Sequence, residues 1–258
     1  MNFNPGFPIE PTADPLGFRL GKGTFDRGVE RRTLDSIRSS LRDPNCAGPE
    51  VVYAIMMDMG RREHIEALKE RMLLYGAVAY AAGRLGDEPI RSQGHIHKMS
   101  RSGWSTPEVY EIWDGAAVIY MQELPGDDPG RCFAVHAGPG GVVVVPPGWT
   151  HATVSADSAR PLAFGAWCVR DYGFEYADVR AHGGIAWFPL LDESGALQWA
   201  PNPAYRTSEL IRKRPEPYPQ LGICLGVPIY EQFARDHDRF LFVSNPALKR
   251  AEWEGFVP

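Results

Sequence analysis

Gly94-His95-Ile96-His97 is the decisive stretch of this 258-residue chain; Glu108-Val109-Tyr110 follows it, and Val145-Pro146-Pro147-Gly148-Trp149-Thr150-His151 answers it. Side chains on a strand alternate faces, so His95 and His97 are expected to share one face, as are Glu108 and Tyr110. His151 follows a second strand-like run, Val142-Val143-Val144-Val145. Three imidazoles and one carboxylate suit a divalent first-row metal with positions left open for substrate. A His-x-His pair alone is an ordinary surface or core feature. Here Gly94, Gly115, Gly140 and Gly148 permit tight turns, and Pro146 and Pro147 stiffen the approach to the third imidazole.

Composition bounds the rest. With 44% hydrophobic residues and a net charge of −5, the chain has material for a packed core and no basic surface that would point to nucleic acid. Plentiful Gly (27) and Pro (23) fit many short strands joined by turns. No run of 18 apolar residues is present to span a membrane. Met-Asn-Phe-Asn-Pro lacks the basic start and apolar run of a signal peptide. Cys46, Cys132, Cys168 and Cys224 are scattered without a Cys-x-x-Cys pair, which reads as reduced thiols in a cytoplasmic protein.

The two motifs together resemble the cupin superfamily of small metal-binding β-barrels. With Pro107-Glu108-Val109-Tyr110, Asp171-Tyr172-Gly173, a Pro-x-Val-Val-Tyr strand ending at Tyr53 and Asn202-Pro203, the resemblance narrows to the cupin-type (archaeal-type) glucose-6-phosphate isomerases, from about Leu16 to Arg206. It implies an all-β cupin jelly-roll barrel over 49–206. An extended arm and a short helix (1–48) are expected before the barrel, and a helical C-terminal extension (207–258), outside the resemblance, is expected to pack on the barrel or on a partner subunit of a homodimer. It implies aldose–ketose isomerisation of a sugar phosphate, in glycolysis and gluconeogenesis. His95, His97, Glu108 and His151 are the implied ligands of a divalent Fe, Mn, Ni or Zn ion. Glu108, Tyr110 and Tyr172 are the implied catalytic residues, and Gly94 the implied backbone contact to the sugar phosphate. Arg91 and Lys98 flank the first motif and offer cations to the phosphate.

The chain also departs from the pattern. The gap from His97 to Glu108 is long, and Ser155 stands where the second motif commonly ends in Asn. Gly76-Ala77-Val78-Ala79 holds no hydroxyl where a phosphate-binding threonine is expected, and Arg170 replaces a histidine before Asp171. Another phosphorylated or acidic sugar, or a non-catalytic sugar-binding role, therefore stays open. So does the choice between Glu108 as proton-transfer base and a metal-assisted hydride shift.

Local patterns give further expectations. Residues 1–15, with four prolines, read as an extended arm. A helix is expected over 31–42 and another over 228–238. Propensity gives a helix over 62–74, where the resemblance implies a loop. Asp114-Gly115 and Asp192-Glu193-Ser194-Gly195 signal hairpins, strands 131–155 a meander, and the prolines of 206–220 a stiff connector.

Overall fold

The computed structural model describes residues 3–258; the first two residues of the expected arm lie outside them. Strands dominate and form two facing sheets. The larger has six strands in the order Val142–Val145, Glu108–Asp114, Leu162–Val169, Leu73–Tyr80, Val51–Met56, Glu30–Thr33. The smaller has four, in the order Thr150–Ser155, Ala117–Gln122, Cys132–Ala137, Leu210–Lys213. All neighbours are antiparallel except the last pair. This is the jelly-roll barrel of the cupin fold.

Between the sheets lies one core, with Tyr110, Ile112, Ile119, Met121, Phe133, Val143, Phe164 and Cys168 among its members. A second core covers the outer face of the larger sheet. There Tyr75, Val109, Trp113 and Trp167 pack against Phe7 of the N-terminal segment and Ile229, Tyr230, Phe233 and Phe240 of the C-terminal segment. A sheet buried on both faces reads as continuous apolar runs, which explains Leu73–Tyr80 and Leu162–Val169. The period of two still sorts side chains: Val109, Glu111 and Trp113 face outward, while Glu108, Tyr110 and Ile112 face the barrel interior.

Several local expectations need correction. Asp114-Gly115 does not close a hairpin. The strands on either side belong to different sheets, and Gly115 (φ +73°) makes the corner, where a Cβ would lie 2.5 Å from the Pro161 carbonyl oxygen. The strands over 131–155 are likewise no meander, because Val142–Val145 crosses to the larger sheet. The connector at 206–220 contributes Leu210–Lys213 to the smaller sheet, paired in parallel with Cys132–Val135. The N-terminal arm folds back as a hairpin, Ile9–Ala13 with Leu16–Leu20. Of the helix expected over 31–42 only Leu34–Ile37 is α-helical, continued as a 3-10 turn over Arg38–Ser40, because Arg31 and Arg32 are drawn into the sheet opposite Ala54 and Tyr53. Over 62–74, propensity prevails: a 3-10 turn Arg62–His64 leads into the helix Ile65–Glu70. The Asp192 hairpin and a helix at Ile229–Arg235, capped by Pro228, are found as expected.

Gly165 shows how closely the two cores are spaced. A Cβ there would sit 2.2 Å from Trp113 and 2.4 Å from the Tyr75 hydroxyl. Both rings are large and fully buried, so neither has free space to move into. Gly165→Ala is expected to destabilise the fold by about 1–3 kcal/mol, read as a lower urea midpoint with unchanged slope.

Candidate metal centre and active site

Four side chains from three parts of the fold meet at one end of the barrel. Glu108 begins its strand in the larger sheet, opposite Val145. His151 lies in the smaller sheet, opposite Met121. His95 and His97 come from the segment that crosses between them. The amides of His95 and His151 each donate to the other's carbonyl, at 3.0 and 2.9 Å, and His97 pairs with Phe174 in a two-residue ladder. Gly94 turns the chain into this segment at φ +88°; a Cβ there would meet Ile185 at 2.7 Å. One ligand atom from each of His95, His97, Glu108 and His151 lies within 4.8 Å of all the others.

Hydrogen bonding sets the imidazole tautomers. His97 Nδ1 is 2.8 Å from the Thr106 carbonyl oxygen, and His151 Nδ1 is 3.1 Å from that of Trp149. A carbonyl only accepts, so each Nδ1 carries a proton and each ring turns its Nε2 toward the cluster. Glu108 Oε2 lies 3.2 Å from His97 Nε2 and 3.1 Å from His151 Nε2, a separation that a shared proton or a shared cation bridges. Nε2 of His97, although this close, makes no aligned hydrogen bond, and the buried Nε2 of His95 has no partner among the described residues. Burial, then the neighbouring His151 and His97 rings, push His95 well below the usual histidine range, so its ring is neutral. A divalent ion at this point would satisfy all four ligand atoms at once, in place of protons between the carboxylate and the rings.

Glu108 has two further partners. Tyr110 donates its hydroxyl to Oε2 at 2.7 Å, and the Cys168 thiol donates to Oε1 at 3.0 Å. Burial raises the Glu108 carboxyl, and hydrogen bonds and positive charge from His151 and His97, supplied when their Nε2 atoms carry protons in place of a shared cation, outweigh it and hold the carboxyl well below the usual range. Burial, followed by the charge of Glu108, drives the Tyr110 phenol and the Cys168 thiol far upward, so both stay protonated donors.

The remaining predicted residues divide. Tyr172 stands at the rim, 42% exposed, its ring 5.3 Å from that of Phe174. Lys98 is exposed beside Glu175, with Nζ 3.8 Å from its carboxylate. Gly94 is buried, the side that would carry Cβ facing Ile185 and Val179. Arg91 is not a substrate cation. Its side chain is 0% exposed, paired with Glu88 at 2.7 Å and bonded to the Ser40 and Ser92 carbonyls, so it staples the N-terminal segment to the barrel. Arg170, in place of the expected histidine, pairs with Asp58 at 2.7 Å through both terminal nitrogens. Arg101 binds Asp171 and pins the long 98–107 loop to the Asp-Tyr-Gly segment.

Sequence reading missed Cys168 and Phe174. The Phe174 ring lies over the mouth, 4.5 Å from His95 and 5.6 Å from His97. The only signal for it is its place directly after Asp-Tyr-Gly. A cavity of about 1000 Å³ lies elsewhere, between the N-terminal hairpin and the strand ends near Tyr80 and Leu162, and includes none of the four converging residues.

Comparison with known proteins finds relatives in sequence and neighbours in structure. A glucose-6-phosphate isomerase of Thermococcus litoralis is 28% identical over 200 residues, covering 75% of this chain and 97% of its own. That of Pyrococcus furiosus is 30% identical over 139 residues, covering 54% and 67%. Among solved structures, a Bacillus subtilis oxalate decarboxylase aligns with 62% of this chain and 32% of its own, at 14% identity and a TM-score of 0.35. The sequence profile described as Glucose-6-phosphate isomerase (GPI) matches residues 36–206, most of the barrel and all four converging residues, and the chain belongs to that family.

Proposed function

We propose that the chain interconverts glucose 6-phosphate and fructose 6-phosphate, with His95, His97, Glu108 and His151 holding a divalent metal ion at the reacting end of the sugar. The observation that carries this is the convergence of three imidazoles and one buried carboxylate, with one ligand atom of each within 4.8 Å of all the others. The three-nitrogen, one-oxygen donor set suits Fe, Mn, Ni or Zn. When bound, such an ion supplies Lewis acidity to the oxygens at C1 and C2.

The chain's own residues do the rest. Glu108, kept ionised, takes the proton from one of C1 and C2 and returns it to the other. Tyr110 and Cys168 hold its two oxygens in place. Phe174 screens the reacting carbons from water, and Tyr172 and Lys98 border the sugar at the rim, with Gly94 shaping the turn behind His95. Running the reaction in deuterium oxide tests the proton route: deuterium at C2 of glucose 6-phosphate formed from fructose 6-phosphate supports it, and none points to a hydride shift. A panel of other sugar phosphates and sugar acids tests the substrate assignment.

Chelation gives a direct check on the metal. Dialysis against a chelator is expected to lower isomerase activity at least about 100-fold and to lower the melting temperature. Adding back one divalent metal should restore both, since a ligand that binds only the folded state stabilises it. Full activity in protein shown by elemental analysis to be metal-free would refute the assignment. The same reading places the chain in the cytoplasm as a homodimer. Four free cysteines suit a reducing compartment, and sedimentation or light scattering gives the subunit number.

A further inference from the structure

Phosphate recognition is the unfinished part of this site. Arg91 is walled in, Arg170 and Arg101 are engaged by carboxylates, and Gly76–Ala79 offers no hydroxyl. Another arginine, which the sequence did not single out, has a guanidinium nitrogen left over after its ion pair. Arg32 lies on the edge strand Glu30–Thr33, directly opposite Tyr53. Residues directly opposite on adjacent strands project from the same face, and Tyr53 belongs to the core between the sheets, so Arg32 projects toward the barrel interior at its rim. Its Nε is buried and has no hydrogen-bond partner among the described residues, while Nη2 reaches Glu30 at 3.1 Å. A buried guanidinium N–H without an acceptor is costly unless a ligand completes it.

What surrounds Arg32 gives the ligand's class. Its charge is felt at His95, at Tyr53 and at Tyr176. The Tyr176 ring is 5.9 Å from that of His95. Arg180 packs on Tyr176, its guanidinium carbon 5.0 Å from the ring centroid and two of its nitrogens bonded to Gln93 at 3.0 and 3.2 Å. One guanidinium group thus packs on the Tyr176 ring beside the histidines, and a second lies close enough for its charge to act there. That layout fits a small dianion at the far end of a sugar whose carbonyl end lies at the cluster.

We propose that Arg32, supported by Arg180, is the phosphate anchor of this chain and sets its preference for phosphorylated sugars. Arg32 lies before residues 36–206, so the anchor comes from a part of the chain outside the family match. The inference rests on the isomerase reading for its substrate but not for its ligand, which is a phosphate group. Glu30 competes for the same guanidinium in the absence of ligand.

Titration calorimetry of the full chain with inorganic phosphate tests this directly, together with KM for fructose 6-phosphate. Arg32→Met is expected to weaken phosphate binding and raise KM at least about tenfold, with kcat changed much less; Arg32→Lys recovers part of the loss. Glu30→Gln should tighten phosphate binding, an effect in the opposite direction that a misfolded variant cannot imitate. Wild-type protein that binds no phosphate, or Arg32→Met with unchanged phosphate affinity and KM, overturns the anchor and leaves the isomerase reading standing. Phosphate binding that depends on Arg32, in a metal-loaded protein that turns over neither sugar phosphate, supports the anchor and sinks the isomerase reading instead.

Discussion

Glu108→Gln lowers kcat for fructose 6-phosphate by about 10²–10⁴-fold, the range expected when a positioned general base is removed. The amide nearly matches the carboxylate in shape and keeps one oxygen to accept from Tyr110 or Cys168, which both donate to the native carboxylate. It cannot take up a proton. It also removes the negative charge that the three imidazoles enclose, so metal content has to be measured beside the rate. Elemental analysis of the variant separates the two losses: a metal-loaded variant with this loss of kcat assigns the proton transfer to Glu108. His151→Ala is expected to lose metal and activity together, because it removes one of the four converging donors. A metal-loaded Glu108→Gln protein keeping more than about a tenth of wild-type kcat would remove the base from the mechanism and turn attention to the hydride shift.

The centre of this site was legible because its geometry is local. Two histidines two apart, and a glutamate and tyrosine two apart, fall on common faces whatever the sheet does around them. The rest depends on which strands become neighbours. Cys168 reaches Glu108 only because Val109 is registered against Trp167, a pairing between strands far apart in sequence. Phe174 covers the histidines because a two-residue ladder joins it to His97. Asp114-Gly115 misled for a related reason: the dipeptide specifies a sharp change of direction, and only packing decides whether the chain returns within its own sheet or crosses to the other. Arg91 stood next to the motif in sequence, yet its alternation places it inward against Glu88, whereas Arg32 reaches the mouth from a strand outside the motif entirely.

The outward face of the Glu108 strand predicts a pH effect on stability unrelated to catalysis. Glu111 is 1% exposed between the larger sheet and the C-terminal segment. It accepts from the Ile229 amide at 2.9 Å and from the Trp113 indole at 3.3 Å, and no cation among the described residues pairs with it. Burial pushes its carboxyl up to about 8 from an ordinary value of 4.5, against the smaller opposing effect of those two donors. The native state therefore holds a proton that the unfolded chain has released through this window. Stability from this group is fully present below the unfolded value and declines as pH rises toward the native one. Each pH unit climbed inside the window removes about 1.4 kcal/mol, so the loss is on the order of a few kcal/mol by pH 8. Glu111→Gln keeps an oxygen for the Ile229 amide and cannot ionise, so the variant should be more stable than wild type at pH 8–9 and close to it near pH 5. Subtracting the two unfolding free energies at each pH isolates Glu111. The buried histidine His64 titrates with the opposite sign, since burial lowers it, and cancels in the difference. A difference that stays flat from pH 5 to 9 would mean that Glu111 ionises freely in the folded protein, which its place beneath the C-terminal helix does not allow without displacing Ile229.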